Sequence, residues 1–100
     1  MFGTVAIIRP KAEKEAELMA GFNDWWKNRA PKVKGAISGS VHKNATNPAE
    51  LIITVVFDSK ENYAANAADP EQDLWYQKMR NLLESEPKWM DGDVLGCYHK

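Results

Sequence analysis

Apolar residues along this chain follow two rhythms, one of strands and one of helices. Residues 3–9, GTVAIIR, predict a first strand. From Ala12 the apolar positions fall at Ala16, Met19, Phe22 and Trp26, with Leu18 and Trp25 beside them. That spacing predicts a helix of about five turns. Pro10 suits its first turn, and Pro31 ends it. Residues 35–43, GAISGSVHK, alternate as a second strand, with Ala36, Ser38, Ser40 and His42 on one face and Ile37, Gly39 and Val41 on the other. Asn44 to Pro48 is rich in turn formers, and the Asn44-Ala45-Thr46 glycosylation pattern inside it reads as a polar loop. Residues 51–57, LIITVVF, predict a third strand. Asp58 and Ser59 are both good caps for a short helix through Tyr63 and Ala67, with Glu61 placed as in a capping box. Asp69-Pro70-Glu71-Gln72 opens another helix: Asp69 caps, Pro70 takes the first helical position and Gln72 can reach back. Its stripe is Trp75, Tyr76, Met79, Leu82 and Leu83, and Pro87 stops it. Residues 93–98, DVLGCY, predict a last strand.

The order strand, helix, strand, strand, helix pair, strand is the ferredoxin-like βαββαβ arrangement of an α+β protein. Its sheet is antiparallel, with the helices on one face. Such a layering leaves the other sheet face bare, yet LIITVVF is apolar on both sides, and so is residues 5–8. Soluble monomers rarely show water a contiguous apolar sheet. The simplest cover is a second copy of the same sheet, so the pattern predicts a two-fold homodimer with sheet packed on sheet. Residues 1–100 make one domain.

Composition narrows the field of partners. The formal net charge is −1, with charges of both signs scattered along the chain, which is no footprint for nucleic acid. Lys27, Arg29, Lys32 and Lys34 straddle a helix end and read as a solvated terminus. No long apolar run predicts a membrane span. With one cysteine, Cys97, and no signal-like start, a reducing cytoplasm is the expected compartment. Cys97 itself reads as a small buried hydrophobe. Two histidines 57 positions apart and one cysteine make no metal cluster, and no Gly-rich phosphate or dinucleotide motif is present, so no cofactor is expected.

The stretch FDSKENYAANAADPEQDLWYQKMRNLLESEPKWMDGDV, residues 57–94, resembles the third strand, helix pair and fourth-strand entry of antibiotic biosynthesis monooxygenase-like domains. The likeness extends from residues 3–9 to 93–98. It implies the dimeric α+β barrel superfamily, in which the known pocket lies between the helices and the sheet of each subunit. Some members oxidise polycyclic hydroquinones with O₂ and no cofactor, some degrade haem, and others are isomerases or binding proteins. The haem-degrading members use an asparagine early in the first strand, a tryptophan and a histidine on a helix. Gly3 to Arg9 holds no asparagine, and neither His42 nor His99 falls on a predicted helix.

Cofactor-free oxygenation needs a base or anion holder, polar donors, and flat apolar walls that exclude water. His42 is the candidate base, at the end of a strand face that carries Ser38 and Ser40 as a pocket floor; otherwise it is an edge-strand histidine facing solvent. Asn66, one turn from Tyr63, offers an amide to a carbonyl or oxyanion, or else bonds its own backbone. Tyr76 and Tyr63 offer hydroxyls. Trp26 and Trp75 lie on inward stripes, as core, pocket wall or both. Trp89 and His99, flanking the last strand, read as surface or dimer contacts. The expectation is a cofactor-independent monooxygenase-like enzyme acting on a small aromatic or quinol compound. The other reading is a non-catalytic dimeric module that binds a hydrophobic metabolite.

Overall fold

The computed structural model describes residues 1–98. β1 (Phe2–Ile8) is followed by α1 (Glu15–Asp24), β2 (Ala36–Lys43), β3 (Leu51–Phe57), α2 (Lys60–Ala67), α3 (Pro70–Asn81) and β4 (Lys88–Asp93). The strands form one antiparallel sheet in the order β2-β3-β1-β4. This is the ferredoxin-like α+β architecture expected from the pattern.

Register decides which side chains meet the helices. Thr4, Ala6 and Ile8 of β1 pair with Val55, Ile53 and Leu51 of β3. Directly paired residues point to the same face. Most of these are buried, and Ala6, Ile8, Leu51 and Ile53 form the core with Leu18 and Phe22 of α1, Met79 of α3 and Leu83 after it. The opposite face carries Val5 and Ile7 of β1 and Ile52, Thr54 and Val56 of β3. No helix covers that face, and Val5 and Met90, paired across it, are 39% and 45% exposed.

The loops explain where the elements begin. Ser59 caps α2 by accepting from the Asn62 amide at 3.1 Å, while Asp58 turns its carboxylate to the Asn62 side chain. Asp69 caps α3 by accepting from the Glu71 amide, and Pro70 occupies its first turn. Pro10 does not start α1. It forms a bridge to Leu83, and Lys11 donates to the Leu82 carbonyl, so this stretch is tied to the end of α3 and the helix begins only at Glu15.

The end of α1 changes pitch. Residues Trp25–Arg29 form an i→i+5 turn in which the Ala30 amide donates to the Trp25 carbonyl, and Ala30–Lys32 close it as a 3₁₀ turn. The last strand also differs from expectation. β4 is Lys88–Asp93, not 93–98, and all six of its residues are exposed. It is an edge strand recognised by its pairing with β1 and not by alternation. Leu95 and Tyr98 lie beyond it, 98% and 83% exposed, and Cys97 is exposed where a buried residue was expected. His99 lies outside the described residues. No helix among the described residues is long and apolar enough to cross a membrane.

Candidate functional site

A cavity of about 400 Å³ lies between the helices and the sheet. Its walls begin with α1 and the wide turn that follows. In an ordinary helix Trp25 and Trp26 diverge by about 100° around the axis. The i→i+5 turn spreads the residues differently, and both indoles line the cavity together with Trp75 of α3 and Trp89 of β4. All four tryptophans of the chain therefore surround one space. Phe22 ties two of them, with ring centroids 6.1 Å from Trp26 and 5.4 Å from Trp75. Trp75 donates its indole N–H to the Gly21 carbonyl, and Trp25 donates to Gln72. Trp26 lies against Gly39 of β2. A Cβ there would sit 3.0 Å from the Trp26 Nε1, so the missing side chain makes room for the ring. Ser40 and Thr54 border the cavity beside that gap with their backbone, while their hydroxyls, bonded to each other, lie on the opposite sheet face.

The polar groups fall into two sets. At one side Tyr63 of α2 donates its phenol to Asp91 Oδ1 of β4 at 3.1 Å. Burial, and next the negative charge of Asp91, push the Tyr63 hydroxyl up to about 12, so it stays a donor across the physiological range. Thr4, buried beneath, pairs with Asp91 across β1 and β4.

The second set is organised by Arg29. Its Nη2 donates to Asn66 Oδ1 at 3.2 Å and its Nε to Gln72 Oε1 at 3.1 Å. Its guanidinium also pairs with Asp69 and Glu71. A guanidinium only donates, so the amide oxygens of Asn66 and Gln72 must face it. The Asn66 NH₂ carries no other hydrogen bond among the described residues, and Asn66 lines the cavity. Gln72, expected to reach back to its own helix start, instead accepts from both Trp25 and Arg29.

The expected site residues divide accordingly. Trp26, Tyr63, Asn66, Trp75, Tyr76 and Ser40 border one cavity. Tyr76 does so with its ring, because its hydroxyl donates to Glu86 at 3.1 Å. His42 and Ser38 do not belong to the cavity. They pair with Ile52 and Val56, on the sheet face turned away from the helices, and both are exposed. A histidine on that face cannot act as base in a cavity on the other side of the sheet. Trp89, read as a surface or dimer contact, lines the cavity with its ring centroid 6.2 Å from Tyr76. Asp91, Arg29, Trp25 and Gln72 had no assigned place at the site. The Arg29–Gln72 link had no sequence signal, while the Trp25–Trp26 pair offered a weak one.

No family model matches the sequence, and no curated relative matches it. Solved structures do share its fold. A candidate antibiotic biosynthesis monooxygenase from Caulobacter crescentus superposes with a TM-score of 0.83 at 15% identity, over 95% of this chain and 90% of that one. Another, from Chloroflexus aurantiacus, gives 0.78 at 20% identity, over 98% and 96%. A conserved protein from Methanosarcina mazei gives 0.81 at 18%, over 91% and 89%. The chain thus has the ferredoxin-like α+β fold of the antibiotic biosynthesis monooxygenase-like structures, as the resemblance through residues 57–94 implied.

Proposed function

We propose that this cavity binds a small planar aromatic or quinol compound and that the protein oxidises it with O₂ without a cofactor. The observation that carries the reading is the convergence of four indoles on one cavity whose polar edges are Tyr63–Asp91 and the Asn66 amide. Indole faces hold a flat ring and keep water away. Asp91 takes the proton of the substrate's hydroxyl, and Tyr63 holds that carboxylate in place. The Asn66 NH₂ donates to the oxygen on which negative charge develops. The resulting electron-rich anion reduces O₂ at a ring carbon. One oxygen atom becomes the new carbonyl at a ring C–H, the hydroxyl carbon also becomes a carbonyl, and the other oxygen atom leaves as water with the two hydrogens lost, one from the hydroxyl and one from that ring carbon. His42 has no part in this scheme.

The same reading includes a homodimer built by packing the open sheet faces together, because Val5, Ile7, Ile52, Val56 and Met90 otherwise remain without cover.

The test is oxygen uptake with an anthrone as probe, read alongside quinone formation. Asp91→Asn and Asn66→Ala are each expected to slow turnover at least about tenfold, and His42→Ala to leave it unchanged. Binding of the probe with no oxygen uptake would make the protein a non-catalytic binding module instead.

A further inference from the structure

The charges around the cavity restrict what it can hold. Its border includes two carboxylates, Asp73 of α3 and Asp91 of β4, and no lysine, arginine or histidine among the described residues. Among the described residues neither carboxylate forms an ion pair, Asp91 accepts only from Tyr63, and Asp73 accepts only from Gln77 on its own helix, at 2.7 Å. Arg29 touches Asn66 and Gln72 from behind, but its charge is met by Asp69 and Glu71. The rest of the wall is dominated by aromatic rings, whose faces are electron-rich, and indole is the strongest of these toward cations. Unpaired carboxylates and indole faces act in the same sense: both attract a cation and repel an anion.

We infer that the ligand of this cavity is a planar aromatic that carries a positive charge, a protonated or N-alkylated amine set among the indoles with Asp91 and Asp73 as its counter-charges. The inference rests on the reading of the cavity as the ligand site and deepens it. It also removes a difficulty in the oxidation. Passing the proton of a neutral phenol to Asp91 leaves a phenolate beside the Asp73 carboxylate with no positive charge near them, whereas the same transfer from a phenol that already bears an ammonium group yields a zwitterion with no net charge. The Asn66 NH₂ and Asp91 then meet the oxygen end, Asp73 lies toward the nitrogen end, and both carboxylates act on the ammonium through their charge.

Three probes with one ring system separate the possibilities: 1-naphthylmethylamine, 1-naphthalenemethanol and 1-naphthoate, titrated calorimetrically into the intact protein at pH 7. The amine is expected to bind about tenfold more tightly than the alcohol, and the carboxylate most weakly. Asp91→Asn and, independently, Asp73→Asn are expected to shrink the amine's advantage to about threefold or less, and Asp73→Asn, outside the oxidation scheme, to leave the alcohol's affinity in place. Asp73→Asn removes a charge held only by Gln77, so it remains informative if Asp91→Asn fails to fold. Equal binding of amine and alcohol, or tighter binding of the carboxylate, overturns the charge preference and leaves the cavity a ligand site. Failure of all three probes to bind overturns both.

Discussion

Tyr63 shows how one residue's surroundings set its chemistry. Its phenol is removed from water and faces a carboxylate, and both effects hold its proton. The folded state therefore keeps a proton that the unfolded chain gives up near the ordinary value of 10.0. The stability contributed by this group is complete below that value and is lost as pH rises through about 12. Tyr63→Phe should flatten the alkaline loss of stability, and urea midpoints taken from pH 8 upward on both proteins check it. Arg29 is the other residue whose neighbours define it. Only 18% of its side chain is exposed, and it joins the wide turn after α1 to both Asn66 and Gln72. Arg29→Ala should lower unfolding stability by about 2 kcal/mol, the scale of hydrogen bonds to a charged group. Arg29→Lys should recover less than half of it, because an ammonium lacks the planar fork. Urea melts of the two variants decide this.

Among the elements, the turn Trp25–Arg29 has the largest effect on the site. It brings Trp25 and Trp26 to the cavity wall and Arg29 behind it, against Asn66 and Gln72, as i→i+5 turns often do at functional positions. β2 answers it with Gly39. Adding a methyl there forces the Trp26 ring to move by a few tenths of an ångström. Gly39→Ala should therefore shift the Trp26 indole N–H resonance and weaken probe binding with little change in secondary structure, as NMR spectra and titrations would show. At α2 the Ser59 hydroxyl satisfies the otherwise free Asn62 amide. Ser59→Ala should cost about 1 kcal/mol by thermal or chemical unfolding, and should also loosen the helix that presents Tyr63 and Asn66.

At the scale of the whole molecule, two layers are joined by one core, and only one face of the sheet belongs to it. The other face presents Val5, Ile7, Ile52, Val56 and Met90 with no helix above them. Packing that face on its two-fold copy would complete a closed sheet-on-sheet interior. Light scattering after size exclusion should give the mass of two chains. Val5→Lys, which places a charge in the middle of the face and outside the cavity lining, should convert it to one chain while preserving the helical signal. A single-chain mass for the unaltered protein would remove the dimer from the proposal.

Much of this architecture is written locally. Asp69-Pro70 starts a helix by capping one amide and lacking another, the stripe from Trp75 to Leu83 follows the helical repeat, and LIITVVF demands cover on both sides because burial rewards every apolar residue in it. From these elements the fold and much of the cavity wall could be read, including Tyr63, Asn66, Trp26 and Trp75. The remainder depended on how elements meet. Alternation in β2 defines two faces but not which one looks at the helices, and a sheet with apolar residues on both sides offers no hint, so His42 could be placed on the correct side only by its pairing with Ile52. β4 lies at the edge with every residue exposed, so it carries no periodic signal, and Asp91 reaches Tyr63 only because β4 pairs with β1 in the register that sets Thr4 opposite Asp91. The sequence by itself determined the elements and their order, since capping, turn chemistry and hydrophobic repeat act within a few residues. The tertiary structure alone decided which polar groups converge on the cavity, since register and helix pitch are set by contacts between residues far apart in the chain.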